Sequence, residues 1–369
     1  HSAGITQEVS VNARIETPTP TIKRQPKVVV CGIGTGGHYF PAMVTAVELR
    51  RIGCNVVFLA RPGSAEERIG RKNGLMVSTI AARPFYGRSL VEKTRAILTT
   101  IRSIARLRGV TREGIGLAFG GFGSVPLLVS CMLNRRDFYI FEPNRVPGRA
   151  TTLFAPLARR VFLGMPPVRS LKGHTLVTGI PIRHEFKRAS GTVRRRTAKR
   201  TINILFYGGS QGARRLNDLA IEIARSMDRT WRLKIITGAR DHERLLARKA
   251  VNTKVMPFTD TPWEEIREAD LIVSRSGALA GCEIIAMGRK VIFIPFPFAI
   301  DQHQYYNALY LATIGDAEVY EEEDLDAVRL RHAIESLLKK DSKNVPRLIT
   351  NAEKRIASSI MEDVSNEKA

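Results

Sequence analysis

Between Ser274 and Asn307 the chain sets small residues, one acid and a polar cluster in an order that suits a phosphorylated sugar. A strand over 271–273 feeds a helix expected over about 278–287 through the Ser276-Gly277-Ala278 turn, with Leu279 next in line. A helix N-terminus entered through small residues points backbone N–H groups at whatever lies there, so this turn is a seat for an anion. Glu283 is a lone acid on that otherwise apolar helix, and its carboxylate could take two hydrogen bonds from a vicinal diol such as a ribose. After a second buried strand, over 291–295, come Asp301, Gln302, His303, Gln304 and Asn307, a set of donors and acceptors suited to a sugar. An ordinary βαβ core with a capping serine and a solvated loop accounts for the same residues.

Two further loops carry the same signature. After an apolar strand at 27–31 come Gly32, Gly34, Gly36 and Gly37, then His38 and a helix expected over 42–51. Glycine serves where a backbone turns sharply and approaches a ligand. Gly32, Gly34 and Gly37 match a dinucleotide fingerprint, which would place an acid at the end of the next strand, 55–60; Arg61 stands there and disfavours NAD. His38 has the ordinary near-neutral pKa of a general base, with capping or packing as its plainer role. Gly120, Gly121 and Gly123 lie between a strand at 116–118 and a helix at 125–133, and a strand at 138–141 ends in Glu142-Pro143-Asn144. Three strand ends of this kind converge on one crevice at the carboxyl edge of a parallel sheet.

The elements that must position these loops repeat as strand and helix in two halves, an α/β pattern. Residues 1–25 read as a loose leader, 26–183 as a first Rossmann-like domain and 184–200 as a basic linker. Residues 201–341 restart the pattern, with a strand at 201–207, a glycine turn at 208–213, a helix at 215–227 and a strand at 233–237. Residues 342–369 form a C-terminal helix expected to pack back toward the first domain. With 44% hydrophobic and 25% charged residues the composition is that of a globular protein, and its net charge of +23 favours polyanionic partners, nucleic acid or anionic lipid. The basic residues are spread over the whole length. The helix expected over 90–107 alternates Val91, Ala96, Ile97, Ile101, Ile104 and Leu107 with Lys93, Arg95, Arg102 and Arg106, and could pack on the sheet or lie on an anionic bilayer, the reading that an exposed Phe85-Tyr86 turn supports. Cys31, Cys54, Cys131 and Cys282 stand far apart, without metal-ligand spacing, and read as reduced. No apolar run reaches the ~18 residues of a membrane span.

Taken in order, GTGGHYFPA (34–42), GGFGS (120–124), EPN (142–144), VTGIPIR (177–183), YGGSQGARRLN (207–217), SRSGALAGCEIIAMG (274–288) and DQHQYYNA (301–308) resemble the MurG-type glycosyltransferases of family 28. These add N-acetylglucosamine to the undecaprenyl-linked muramyl-peptide precursor of the bacterial cell wall. The resemblance implies a GT-B fold of two facing Rossmann-like domains, and inversion at the anomeric carbon without a metal or other cofactor. It implies UDP-N-acetylglucosamine held by Arg183, Ser210, Gln211, Phe258, Thr259, Ser276, Gly277, Ala278, Leu279, Glu283, His303, Gln304 and Asn307. The acceptor would lie on Thr35, Gly36, Gly37, His38, Gly120, Gly121 and Asn144, with His38 and Glu142 as catalytic candidates. A peripheral position on the anionic cytoplasmic face of the inner membrane is implied, with no nucleic acid as partner. The chain departs from the family at Phe141-Glu142-Pro143-Asn144, where His-Glu-Gln-Asn is usual, and at Ile33, where the family has glycine. Competing readings are a UDP-sugar transferase to another lipid acceptor, a UDP-sugar epimerase, and a basic nucleic-acid-binding protein without catalysis.

Overall fold

The computed structural model describes residues 25–83, 89–190, 201–209, 212–342 and 348–366. The Phe85-Tyr86 turn, Ser210 and Gln211 therefore lie outside the described residues, as do most of the leader and residues 191–200 of the expected linker.

The first half runs β1 (Lys27–Cys31), α1 (Gly36–Arg51), β2 (Asn55–Ala60), α2 (Ala65–Lys72), β3 (Met76–Thr79), α3 (Leu90–Thr111), β4 (Gly114–Ala118), α4 (Val125–Leu133), β5 (Phe138–Glu142), α5 (Arg149–Phe154), β6 (Arg160–Leu163), β7 (Thr175–Val177) and α6 (His184–Ala189). Its sheet is wholly parallel in the order β3-β2-β1-β4-β5-β6-β7. The second half runs β8 (Ile202–Tyr207), α7 (Arg214–Ser226), β9 (Trp231–Ile236), α8 (His242–Leu246), β10 (Thr253–Met256), α9 (Pro262–Glu268), β11 (Leu271–Ser274), α10 (Ala278–Ala286), β12 (Lys290–Phe293), α11 (His303–Ile314), β13 (Ala317–Val319), α12 (Ala327–Lys339) and α13 (Ala352–Asn366). That sheet is also parallel, ordered β10-β9-β8-β11-β12-β13. Central strands such as Val28–Cys31 and Ile204–Phe206 are continuously apolar and buried, as helices on both faces require.

Each sheet reverses its winding direction once, between β1 and β4 and between β8 and β11. Register pairs Cys31 with Ala118 and Tyr207 with Ser274, so the loops after these strands lie side by side at the carboxyl edge, where α/β sheets bind ligands.

Three local outcomes differ from the expectations. Helix α1 starts at Gly36, six residues before the expected Ala42, because the Thr35 carbonyl accepts from His38 N at 2.9 Å and Tyr39 N at 3.2 Å; Pro41 sits inside the helix instead of ahead of it. The basic stretch after Arg183 begins with α6, whose Phe186 is fully buried and whose Lys187 pairs with Glu353 at 2.8 Å. On α3 the apolar positions divide: Ala96 and Leu107 are buried, whereas Val91, Ile97, Leu98 and Ile101 are exposed. No helix among the described residues is long and apolar enough to cross a membrane.

Helix α13 returns to the first sheet. Tyr139 donates to Asp363 at 3.1 Å and Arg160 pairs with Asp363 at 2.9 Å. One buried apolar cluster runs from Val28 to Ile360 through both halves. All four cysteines are free and buried, and burial pushes the Cys31 and Cys282 thiols up to about 12.

Candidate functional site

A cleft of about 800 Å³ separates the two carboxyl edges. The first domain lines it with Thr35, Gly36, Gly37, His38, Asn144 and Arg183, and the second with Gly208, Gly209, Gly212, Ala213, Gly277 to Leu279, Glu283, His303 and Gln304. Most of the expected donor and acceptor residues thus meet in one space. Phe258 is 59% exposed, and neither it nor Thr259 lines the cleft.

His38 sits in the first turn of α1, where its Nδ1 shares a hydrogen bond of 3.3 Å with Thr35 Oγ1. Its Nε2 lies against Gly121. That residue has φ of 71°, and a Cβ there would come within 3.3 Å of Nε2. Gly120 and Gly121 therefore form a cradle around the imidazole, outside the lining of the cleft itself. Burial lowers the His38 pKa to about 4, helped by the nearby His303. The imidazole is neutral at pH 7 and able to accept a proton.

Glu142, at the end of β5, is 2% exposed and accepts four hydrogen bonds. They come from Asn144 N (3.0 Å), Asn144 Nδ2 (3.1 Å), Gly148 N (3.0 Å) and Thr151 Oγ1 (2.7 Å). These donors occupy both oxygens, and Glu142 does not line the cleft. The carboxylate shapes the loop 143–148. It is therefore placed as an organiser of that loop, outside the cleft where a catalytic candidate would face the substrate.

Glu283 and Arg183 hold one another across the domain boundary. Arg183 Nε donates to Oε1 at 2.9 Å and Nη2 to Oε2 at 3.2 Å, with the two side chains 11% and 3% exposed. The guanidinium also lies over Phe40 at 4.1 Å and Phe186 at 4.7 Å. Burial raises the Glu283 pKa while Arg183 opposes the shift. The sequence offers this acid to a ribose, and the structure gives it an arginine partner in addition.

Asn307, fully buried, is a cross-domain link. Its Nδ2 donates to Asn144 Oδ1 at 3.0 Å, and its Oδ1 accepts from Arg145 N at 3.1 Å. It supports the loop that Glu142 organises and does not reach the cleft. Ser276 is also fully buried, and its Oγ donates to the Gln304 carbonyl at 2.7 Å. Gln304 Oε1 accepts from Phe296 N at 3.0 Å. His303 Nδ1 donates to the Ile300 carbonyl at 2.9 Å, which leaves Nε2 as an acceptor. The backbone that presents these two residues is strained: Asp301 and Gln302 have φ of 50° and 53°, at about 1–2 kcal/mol each for non-glycine residues.

Several lining residues are not among those that the sequence assigns to the site, although most of them lie within the stretches that carry the resemblance. Tyr207 closes the floor beside Glu283, and Arg214, Arg215 and Asp218 stand at the start of α7. Arg275 braces the wall: its Nη1 donates to the Ile294 and Pro295 carbonyls at 3.0 Å each, and its Nη2 pairs with Glu322. An arginine before a Ser-Gly turn looks like a surface charge until its partners, 19 to 47 residues away, are known.

Two parallel-sheet domains facing each other across a cleft, with a helix N-terminus and polar side chains on the second and a histidine on the first, define the GT-B class. The chain belongs to glycosyltransferase family 28, whose N-terminal domain matches residues 28–163 and whose C-terminal domain matches residues 203–364. A relative from Acidithiobacillus ferrooxidans, a UDP-N-acetylglucosamine--N-acetylmuramyl-(pentapeptide) pyrophosphoryl-undecaprenol N-acetylglucosamine transferase, is 35% identical over 322 residues, covering 84% of this chain and 88% of its own. One of the same description from Sulfurihydrogenibium is 28% identical over 92% of this chain and 99% of its own. The crystal structure of Acinetobacter baumannii MurG superposes with a TM-score of 0.68 at 25% identity, covering 91% of this chain and 99% of that one. The UDP-GlcNAc 2-epimerase of Neisseria meningitidis, TM-score 0.64 at 14% identity with 91% and 100% coverage, shares the fold alone.

Proposed function

We propose that the chain transfers N-acetylglucosamine from UDP-N-acetylglucosamine to an undecaprenyl-diphospho-muramoylpeptide. The observation that carries this reading is the convergence of His38 from one sheet and Glu283, His303 and Gln304 from the other on a single cleft. The uridine nucleotide lies on the second domain, its ribose at Glu283 and its diphosphate at the glycine turn that opens α7 and at the start of α10, with the sugar hydroxyls read by His303 and Gln304. The acceptor lies against Gly36, Gly37 and Asn144.

His38 Nε2 takes the proton of the acceptor hydroxyl as its oxygen forms a bond to the anomeric carbon. The bond from that carbon to the UDP oxygen breaks on the opposite face, so configuration inverts. Backbone N–H groups of two helix N-termini, together with Arg183 and Arg214, stabilise the charge that develops on UDP. Transfer of radiolabelled sugar from UDP-N-acetylglucosamine to the muramyl lipid tests the reading, and an organic phase that stays unlabelled at all enzyme concentrations would remove it.

The depressed pKa of His38 gives this reading a pH signature. Between about 4 and its ordinary value of 6.5 the unfolded chain binds the proton and the folded one does not. Stability from this group is therefore present above pH 6.5 and is lost as pH falls toward 4. In the free enzyme the base persists to about pH 4, so kcat/KM for the acceptor is expected to stay flat from pH 7 to 5. An acid limb centred near 6.5 in that profile would count against His38 as the base.

The enzyme works on an anionic membrane surface. Support comes from α3, where Ile97, Leu98 and Ile101 are exposed on one face, flanked by the exposed cations Arg95, Arg102 and Arg106. Ile101→Glu is expected to reduce co-sedimentation with phosphatidylglycerol vesicles several-fold while leaving UDP affinity unchanged. Binding that is indifferent both to this change and to salt would place the membrane contact elsewhere.

A further inference from the structure

A second concavity of about 480 Å³ lies on the first domain beside the cleft, lined by Gly34 to Gly36, Tyr39 and the segment from Arg61 to Glu66. It shares Thr35 and Gly36 with the cleft, so the two spaces meet at the glycine loop that carries His38. The donor and acceptor contacts described above leave it without a role.

Its charge is built in. Arg61 follows directly on β2, and its Nε donates to Glu66 Oε1 at 2.7 Å while Nη2 donates to the Gly34 carbonyl at 3.3 Å. Glu66 is 1% exposed and the Arg61 side chain 39%, so a buried carboxylate holds a half-open guanidinium in place. Nη1 has no partner among the described residues. The Tyr39 hydroxyl likewise has no hydrogen-bond partner there; burial raises its pKa, with Arg183 and Arg68 opposing the shift and Glu66 adding to it. Among the residues that line the groove Arg61 is the one cation, and Glu66 engages one of its edges while Nη1 faces no described partner. A guanidinium already fixed on two sides loses little further freedom when its third edge binds an oxyanion.

We propose that this groove is a subsite for a carboxylate of the acceptor's peptide arm, with Arg61 Nη1 and the Tyr39 hydroxyl as its donors. The inference rests on the transferase reading above. A muramyl sugar placed with its hydroxyl at His38 stands where the two spaces join, and a peptide attached to that sugar through its amino end carries its carboxylates outward. The groove, with the open Nη1 edge of Arg61, is the exit on the first domain's side. The lipid-linked diphosphate is the other oxyanion of such an acceptor, and the test must tell the two apart.

Transfer rates are compared for three acceptors: one with the intact peptide, one with the peptide carboxylates amidated, and one without a peptide. Each is assayed with the unaltered enzyme, with R61Q, and with R61Q/E66Q, which avoids leaving Glu66 buried without its counter-ion. The unaltered enzyme is expected to favour the intact peptide over the amidated one by about tenfold or more in kcat/KM, the scale of one charge-assisted hydrogen bond. Both variants are expected to lose that preference and to keep the UDP affinity of the unaltered enzyme. A preference that survives in R61Q/E66Q, or that is missing from the unaltered enzyme, overturns the proposal. Equal losses on all three acceptors would assign the groove to the diphosphate and also overturn it. Failure of the unaltered enzyme to label any acceptor would instead remove the transferase reading beneath it.

Discussion

Glu283→Ala is expected to weaken UDP binding about 10- to 150-fold and to destabilise the protein by about 3–5 kcal/mol. The first figure follows from losing hydrogen bonds to a charged acceptor, worth ~1.5–3 kcal/mol. The second follows from stranding Arg183, which is 11% exposed and has Glu283 as its carboxylate partner. Because one residue serves both purposes, the variants must separate them. Glu283→Gln keeps an acceptor oxygen and much of the shape, so it is expected to recover part of the stability and little of the affinity. Calorimetry with UDP beside urea unfolding reads the two effects independently. A Glu283→Ala protein that is destabilised yet binds UDP as the unaltered chain does would show that the acid only pins the two domains, and the donor would have to be placed elsewhere.

That double duty marks the limit of what the sequence discloses. The alternation of strands and helices is written in the chain, and β2, α4 and β6 occupy the spans that their apolar runs and flanking glycines define. A short polar helix such as α2 and a half-exposed edge strand such as β3 carry no such run and do not stand out. The first turn of α1 is masked by Pro41, a residue that reads as a helix start or stop while here it sits within the helix. The site divides in the same way. Glycine loops and a lone acid are local signals, and they point to the cleft. Their partners are not local: Arg183 lies 100 residues from Glu283, and Asn144 lies 163 from Asn307. Glu142 shows the cost of this. An acid beside an asparagine at a strand end looks catalytic, and only the folded loop reveals that Thr151 and Gly148 have taken its remaining lone pairs.

His38→Ala is expected to depress turnover ~10²- to 10⁴-fold while leaving UDP affinity intact, since the imidazole belongs to the first domain and the nucleotide is assigned to the second. The glycines around it make a packing role a poor account of the residue. Gly121 keeps Nε2 clear of any Cβ, and the hydrogen bond between Nδ1 and Thr35 Oγ1 fixes the ring's orientation without consuming the second nitrogen. A ring needed only for packing would tolerate His38→Gln, which keeps polarity and length but has no titratable nitrogen. A base would not. Thr35→Val supplies the complementary test: it removes the hydroxyl that orients the ring and leaves the base itself, so turnover is expected to fall less than in His38→Ala. Wild-type turnover in His38→Gln would sink the assignment, and the proton would then have to leave through water or through His303, whose Nε2 also remains an acceptor.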